Sequence, residues 1–198
     1  MIRLDDYPVD YNLTWKVTTA PAIEPVEASD VKLYARIDGS SEDTLIEGFI
    51  QAVREATEQY LGRALINQSI TVSLDNWPVS PIELPRPPLV SITEVRTIGE
   101  DLSETTYDSD NYYAQTKKEP GELVIKYEKT EPQNTDRYFG GYEIEYIAGY
   151  GADVINVPYA IRLGIIMWVS DIYENRVPIA EPPGIVKTIM APFRIIPV

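Results

Sequence analysis

Neither cysteine nor histidine occurs anywhere in the 198 residues. Without cysteine there are no disulfides, no thiolate metal sites and no thiol nucleophile; without histidine the commonest general base and the commonest metal ligand are gone as well. Catalysis is left with carboxylate chemistry, a serine–lysine pair, or a calcium or magnesium site made of oxygen ligands. Long apolar runs are also missing. No stretch approaches the roughly 18 residues of a membrane-spanning helix, and the start, Met1-Ile2-Arg3-Leu4-Asp5-Asp6, lacks the basic-then-apolar pattern of a signal peptide. The expectation is a chain made and kept in a cytoplasm. Basic charge is scarce too, with 17 Lys and Arg against 31 Asp and Glu and a net charge of −14. The acidic excess falls in the first 150 residues, while 151–198 balance. So acidic a surface repels a phosphate backbone, which argues against DNA binding through a basic patch; it suits simple solubility, or a non-stick wall past which DNA slides.

What is present describes a globular protein. Hydrophobic residues make up 44% of the chain, charged residues 24%, and there are 14 tyrosines, amphipathic side chains suited to cores and interfaces. Residues 1–25 carry Pro8, Pro21 and Pro25 among scattered aromatics without a sustained period, and read as an extended arm. Ala28, Val31 and Ala35 fall at helical spacing and predict a short helix ending before the Asp38-Gly39 turn. The strongest local signal follows. Ser40-x-x-Asp43 has the form of an acidic capping box, ahead of Leu45, Ile46, Phe49, Ile50, Val53, Ala56 and Tyr60, with Gly62 as a stop, and predicts a helix over 41–61. Glu47, Arg54, Glu55 and Glu58 lie off its apolar stripe.

From Asn67 the period changes to two. Ile70, Val72 and Leu74 alternate with polar residues, as do Ile82 and Leu84 after the Trp77-Pro78 turn, and further strands are expected over 91–98, 112–115, 123–127 and 142–147. Pro85-Arg86-Pro87-Pro88 lacks three of its four N–H groups and is expected to be an exposed extended stretch or an edge. A second helix is predicted from Pro158 to Glu174, with Ile161, Ile165, Trp168, Val169, Ile172 and Tyr173 on one face; Pro178, Pro182 and Pro183 then break the chain. The fold class expected is α+β, a small helical bundle with an inserted antiparallel sandwich-like or barrel-like region. Its parts are an arm (1–25), a first helical part (26–66), a β insert (67–150), a helix completing the bundle (151–177) and a proline-rich tail (178–198). Phe49, Val53, Tyr60, Ile165, Trp168 and Ile172 are the core packing residues. The tail's apolar residues, Ile185, Ile189, Met190, Phe193 and Ile195 with Arg194, are candidates for docking on a partner, the competing reading being that the tail folds back to cap its own bundle.

Chemistry has few places to sit. Asp108-Ser109-Asp110-Asn111 starts like a calcium loop but lacks the glycine and the glutamate that complete one. Glu143 and Glu145 fall on the same face of a strand, as a carboxylate pair or as a polar outer face. Gly140-Gly141 and Gly149-Tyr150-Gly151 lack the lysine and helix start of a phosphate loop and read as turns. No cofactor or metal is expected.

Four segments then occur in a telling order. Pro25-Val26 enters a short helix ending in Arg36-Ile37-Asp38, and the acidic-capped helix closes with Tyr60-Leu61-Gly62-Arg63-Ala64-Leu65. Leu84-Pro85-Arg86-Pro87-Pro88-Leu89 precedes Ile92-Thr93-Glu94-Val95. Tyr146-Ile147-Ala148-Gly149-Tyr150-Gly151 with Val157-Pro158 leads to Tyr173-Glu174-Asn175-Arg176 and a terminal Ala191-Pro192-Phe193-Arg194. This ordered set, covering roughly residues 21 to 194, resembles the tailed-bacteriophage head-to-tail connector (adaptor, head completion) family, of the helical type with a β insert. The resemblance implies a non-enzymatic virion protein at the head–tail junction, assembled in the host bacterial cytoplasm. It further implies a ring of copies, expected to be twelve, that docks on the portal protein, meets the next neck or tail completion protein and lets DNA through its lumen without specific binding or any membrane contact. Two rivals stand beside it: a carbohydrate- or protein-binding β module of a virion or secreted complex, and a carboxylate-dependent hydrolase in which two of Glu143, Glu145, Asp108 and Asp110 converge.

Overall fold

The computed structural model describes residues 12–78, 80–133, 135–176 and 181–195. Most of the expected arm, Pro178 and Ile196–Val198 lie outside them. The described chain is α+β and divides into two compact units, each assembled from separate stretches.

The β unit takes residues 12–20, 69–85 and 89–147. Its strands are β1 (Thr14–Thr19), β2 (Gln68–Leu74), β3 (Ile82–Glu83), β4 (Leu89–Ile98), β5 (Glu104–Thr106), β6 (Tyr112–Gln115), β7 (Glu122–Ile125) and β8 (Tyr142–Ala148). They form a five-stranded sheet in the order β1-β2-β8-β4-β5 and a three-stranded sheet in the order β3-β7-β6. β1 runs antiparallel to β2, β4 to β5, and β7 to both β3 and β6. Part of the expected extended arm is a strand: Thr14 pairs with Ser73 and Lys16 with Thr71, making it an edge strand with an irregularity between Val17 and Thr19. Period-two alternation buries Ile70, Val72, Leu74, Tyr142, Ile144 and Tyr146. Trp77 bridges this core to the other sheet, its ring 5.6 Å from Tyr142 and 6.5 Å from Tyr107, which stacks 5.9 Å from Tyr112.

The helical unit takes residues 21–68, 86–88 and 148–195. It holds α1 (Ala28–Ala35), α2 (Asp43–Leu61), α3 (Tyr159–Asn175) and α4 (Gly184–Met190). Val53, Ile165, Trp168 and Ile172 are buried in one cluster, with Phe49 and Tyr60 partly buried against it. α2 closes at Gly62 with φ +69, and α1 closes at Arg36, ahead of the Asp38-Gly39 turn as the sequence predicts. The capping box does not form. Asp43 is instead the first helical residue, and its carboxylate pairs with Lys32 of α1 at 2.7 Å, while Glu42 accepts a hydrogen bond from the Tyr173 hydroxyl. Pro158 stands just ahead of α3 and not inside its first turn.

The Pro85–Pro88 stretch is not exposed either. Pro87 is buried and the other three residues are half-buried. The missing N–H groups cost nothing there because the segment serves as an acceptor: Pro87 O takes the Ala64 N–H at 3.1 Å and Pro88 O the Gly149 N–H at 2.9 Å. Within the β unit, Pro85 O takes the Tyr146 hydroxyl at 2.6 Å.

Candidate docking surface

Of the two readings of the C-terminal segment, docking on a partner or folding back on its own bundle, the described part has one side folded back. One face of α4 packs on α3: Val186 and Met190 are buried, and a Cβ at Gly164 would lie 2.5 Å from Met190 Cε, so the glycine makes the seat for that methionine. Met190 therefore belongs to the chain's own core and has no surface to offer a partner. Beyond α4 the chain is fastened to the end of α2. The Ile195 N–H donates to Leu61 O at 2.8 Å, Arg63 Nε donates to Phe193 O, and the Arg194 guanidinium lies 5.0 Å from the centre of the Tyr60 ring. Phe193 packs partly against the core cluster. Of the six tail residues singled out, Ile185 and Arg194 are exposed, Ile189, Phe193 and Ile195 are half-buried, and Met190 is buried. Beside them a recess of about 750 Å³ opens among Ala56, Tyr60, Pro182, Lys187 and Arg194, with Trp168 at its base.

The end of α2 that carries this segment is braced by a buried polar cluster that periodicity assigns to solvent. Arg54 and Glu58 are buried, not outward-facing. Arg54 donates to Glu24 at 2.8 Å and to Glu58 at 3.1 Å, and Glu58 Oε1 accepts from Leu65 N–H and Gln68 Nε2, both at 2.9 Å. Burial pushes the Glu58 carboxyl above its ordinary range despite these donors; burial works against the Arg54 charge, but Glu24 and Glu58 more than offset it and hold the guanidinium protonated. The clue in the sequence was the i, i+4 spacing of Arg54 and Glu58, which periodicity alone reads as a surface pair.

The remaining candidates are not assembled for chemistry. Glu143 Oε2 takes both Arg96 Nη2 at 2.6 Å and Nε at 3.0 Å, and Glu143 Oε1 takes the Ser73 hydroxyl at 3.3 Å, so this carboxylate is spent in an ion pair on the sheet's polar face. Asp108 caps a turn by accepting the Asp110 N–H at 2.9 Å. Among the described residues no group of three or more acidic side chains is placed to hold a metal. Trp77, Tyr107, Tyr112 and Tyr142 spend their faces on one another instead of forming an open sugar-stacking platform.

The family profile described as head completion protein matches residues 26–177, running through both the helical and the β parts of the chain. The chain belongs to the head completion protein family. Solved structures carry the same fold. A chain from the neck of an empty gene transfer agent particle computed with C6 symmetry superposes with a TM-score of 0.79 at 19% identity, covering 93% of this chain and 97% of that one. A chain from the virion of the native gene transfer agent particle gives 0.78 at 20% identity, and one from the native particle's neck computed with C12 symmetry gives 0.72 at 19%, with the same coverage. No curated protein sequence matches. The match extends over the whole helix–β–helix order, so the head completion fold here includes the β unit as an integral part.

Proposed function

We propose that this head completion protein is a structural subunit of a head-to-tail connector, working by assembly and not by catalysis. Copies of it form a ring, expected to be twelve, that docks on the portal protein, prolongs the DNA channel and presents a surface to the next neck or tail component at the head–tail junction of the virion. The observation that carries this reading is the family match over residues 26–177. It is supported by a fold shared along almost the full length with chains from the neck of a phage-like particle. A heterologous ring requires two different complementary faces on each copy, and a chain of two structural units has room for both. The net charge of −14 suits a lumen that DNA passes without sticking. We assign portal docking to the outward side of the C-terminal segment, Ile185, Ile189, Phe193, Arg194 and Ile195, with Met190 holding that segment from inside.

The experiment is the mass of the assembly formed when the purified chain meets purified portal rings. The reading expects one ring of this chain per portal ring. Ile185→Ser with Arg194→Glu, which leaves Val186 and Met190 in place, should keep the fold and lose the complex. A wild-type chain that stays monomeric beside portal rings and never co-sediments with them sinks the connector reading.

A further inference from the structure

At one end of the β unit two loops are fastened to each other and hold three large apolar side chains out into solvent. The turn between β4 and β5 is fully tied: Gly99 N–H donates to Ser103 O at 2.8 Å, Leu102 N–H to Gly99 O at 3.0 Å, and Ser103 N–H to Asp101 Oδ1 at 2.9 Å. The second loop is joined to it by the Glu100 N–H, which donates to Asp136 Oδ1 at 3.0 Å, and by the Ile98 N–H, which donates to Gly141 O at 2.8 Å. That loop is held internally by Arg137 Nε on Phe139 O at 2.8 Å. Gly140, at φ +62, gives its N–H to Asp75 Oδ1 at 2.8 Å. On this braced platform Leu102 is 70% exposed, Tyr138 87% and Phe139 70%, the two rings 6.2 Å apart and inclined by 50°.

Leu102 is the telling residue. Its φ is +66, a left-handed conformation in which glycine or asparagine costs least and a leucine is strained. Its side chain is solvated, so no packing within the described chain compensates for that strain. A bulky apolar residue kept at such a position is explained by a contact outside the chain. The surroundings say what kind. Glu100, Asp101 and Asp136 lie on these loops against Arg137, whose Nε is committed to its own loop, and hydrogen bonding to Ser103 holds the Asp101 carboxyl below its usual range and keeps it charged. Between the loops a recess of about 450 Å³ is lined by polar side chains that include Ser103, Thr105, Tyr107, Gln133 and Asp136. Its size and chemistry suit the tip of a lysine or arginine.

We propose that this loop end is the surface by which the chain binds a different structural protein, one that presents an apolar recess bordered by lysine or arginine side chains. This rests on the connector reading and assigns the face turned to the next component of the neck. A second copy is the poorer occupant, because the chain carries −14 and the loops would meet an equally acidic neighbour.

The test uses particles assembled with variant chains in place of the parent. In Leu102→Ser/Tyr138→Ser/Phe139→Ser the purified chain should keep its melting temperature and its assembly mass, and heads should retain the protein. Tail-bearing particles counted by electron microscopy should nevertheless fall by at least about tenfold. Leu102→Gly alone guards against misfolding, since it relieves the backbone: it should melt no lower than the parent and still reduce tail joining. Normal tail joining in the triple variant overturns the proposal. So does loss of the protein from heads, which assigns the loops to the portal, or loss of self-assembly, which assigns them to a neighbouring copy. A parent chain that is absent from particle necks removes the connector reading itself, and with it this one, without reference to any variant.

Discussion

Met190 and Gly164 show how one missing side chain redirects a whole segment. The end of the methionine enters space that a Cβ at 164 would occupy, so the glycine lets Met190 seat on α3 without the side chain having to shift. Truncating a fully buried Met leaves a cavity, and Met190→Ala is expected to cost about 2–5 kcal/mol in urea titration. A change below about 0.5 kcal/mol would return Met190 to the surface. Glu58 permits a test through pH. Its folded-state value lies above the ordinary 4.5, so the folded protein holds that proton more tightly than the unfolded chain. The corresponding stability is complete below the ordinary value and drains away as pH rises through the elevated one. Glu58→Gln cannot titrate, and Glu24 still holds Arg54 in the variant. The stability of the variant relative to the parent should therefore climb as pH rises from the ordinary 4.5 through the elevated folded-state value. A constant difference across that interval would mean that burial of Glu58 does not govern its ionisation.

Among the elements, β1 was the least legible and is the easiest to remove. Trp15 and Val17 are its only apolar residues, both remain substantially exposed, and two alternating positions beside prolines do not make a period. Its strand character comes from pairing with β2, a long-range contact that local composition cannot announce. β5, Glu104–Thr106, has no apolar residue at all and carries no periodic signal for the same reason. By contrast α2, α3 and the strands at Gln68–Leu74 and Tyr142–Ala148 were readable within a residue or two, since each buries a periodic face and its boundaries carry Gly or Pro. The seating of Met190 was not legible because Gly164 announces no cavity in a sequence, nor the burial of Arg54 and Glu58 because a buried ion pair and a surface pair share one spacing. The loop end with Leu102 carries no sequence signal, since its strain exists only in φ. Deleting residues 1–19 should leave the helical unit folded and free the edge of β2. Amide exchange in Gln68–Leu74 should then accelerate by at least about tenfold, measured by mass spectrometry, while α2 and α3 stay protected. Unchanged exchange in β2 would mean that β1 protects nothing.

On the scale of the molecule, charge dominates. At −14 and without histidine, the chain has few cations with which to release counterions from a duplex. Filter binding should detect no duplex DNA at physiological salt and little at low salt; submicromolar binding with a steep salt slope would contradict a passive lumen. The interleaving of the two units has a consequence for synthesis. β1 leaves the ribosome first, but β2 must follow before it has a partner, and the sheet is completed only by β8 at Tyr142–Ala148. The helical unit waits longer still, because its first helices are covered by α3 and α4 near the end of the chain. Neither unit can finish folding on a nascent chain until its last element has been made, β8 for the one and α4 for the other, which delays the appearance of any assembly-competent surface until then. A product of translation interrupted before α4 would then lack a finished helical unit and could not take a place in the proposed ring and poison it.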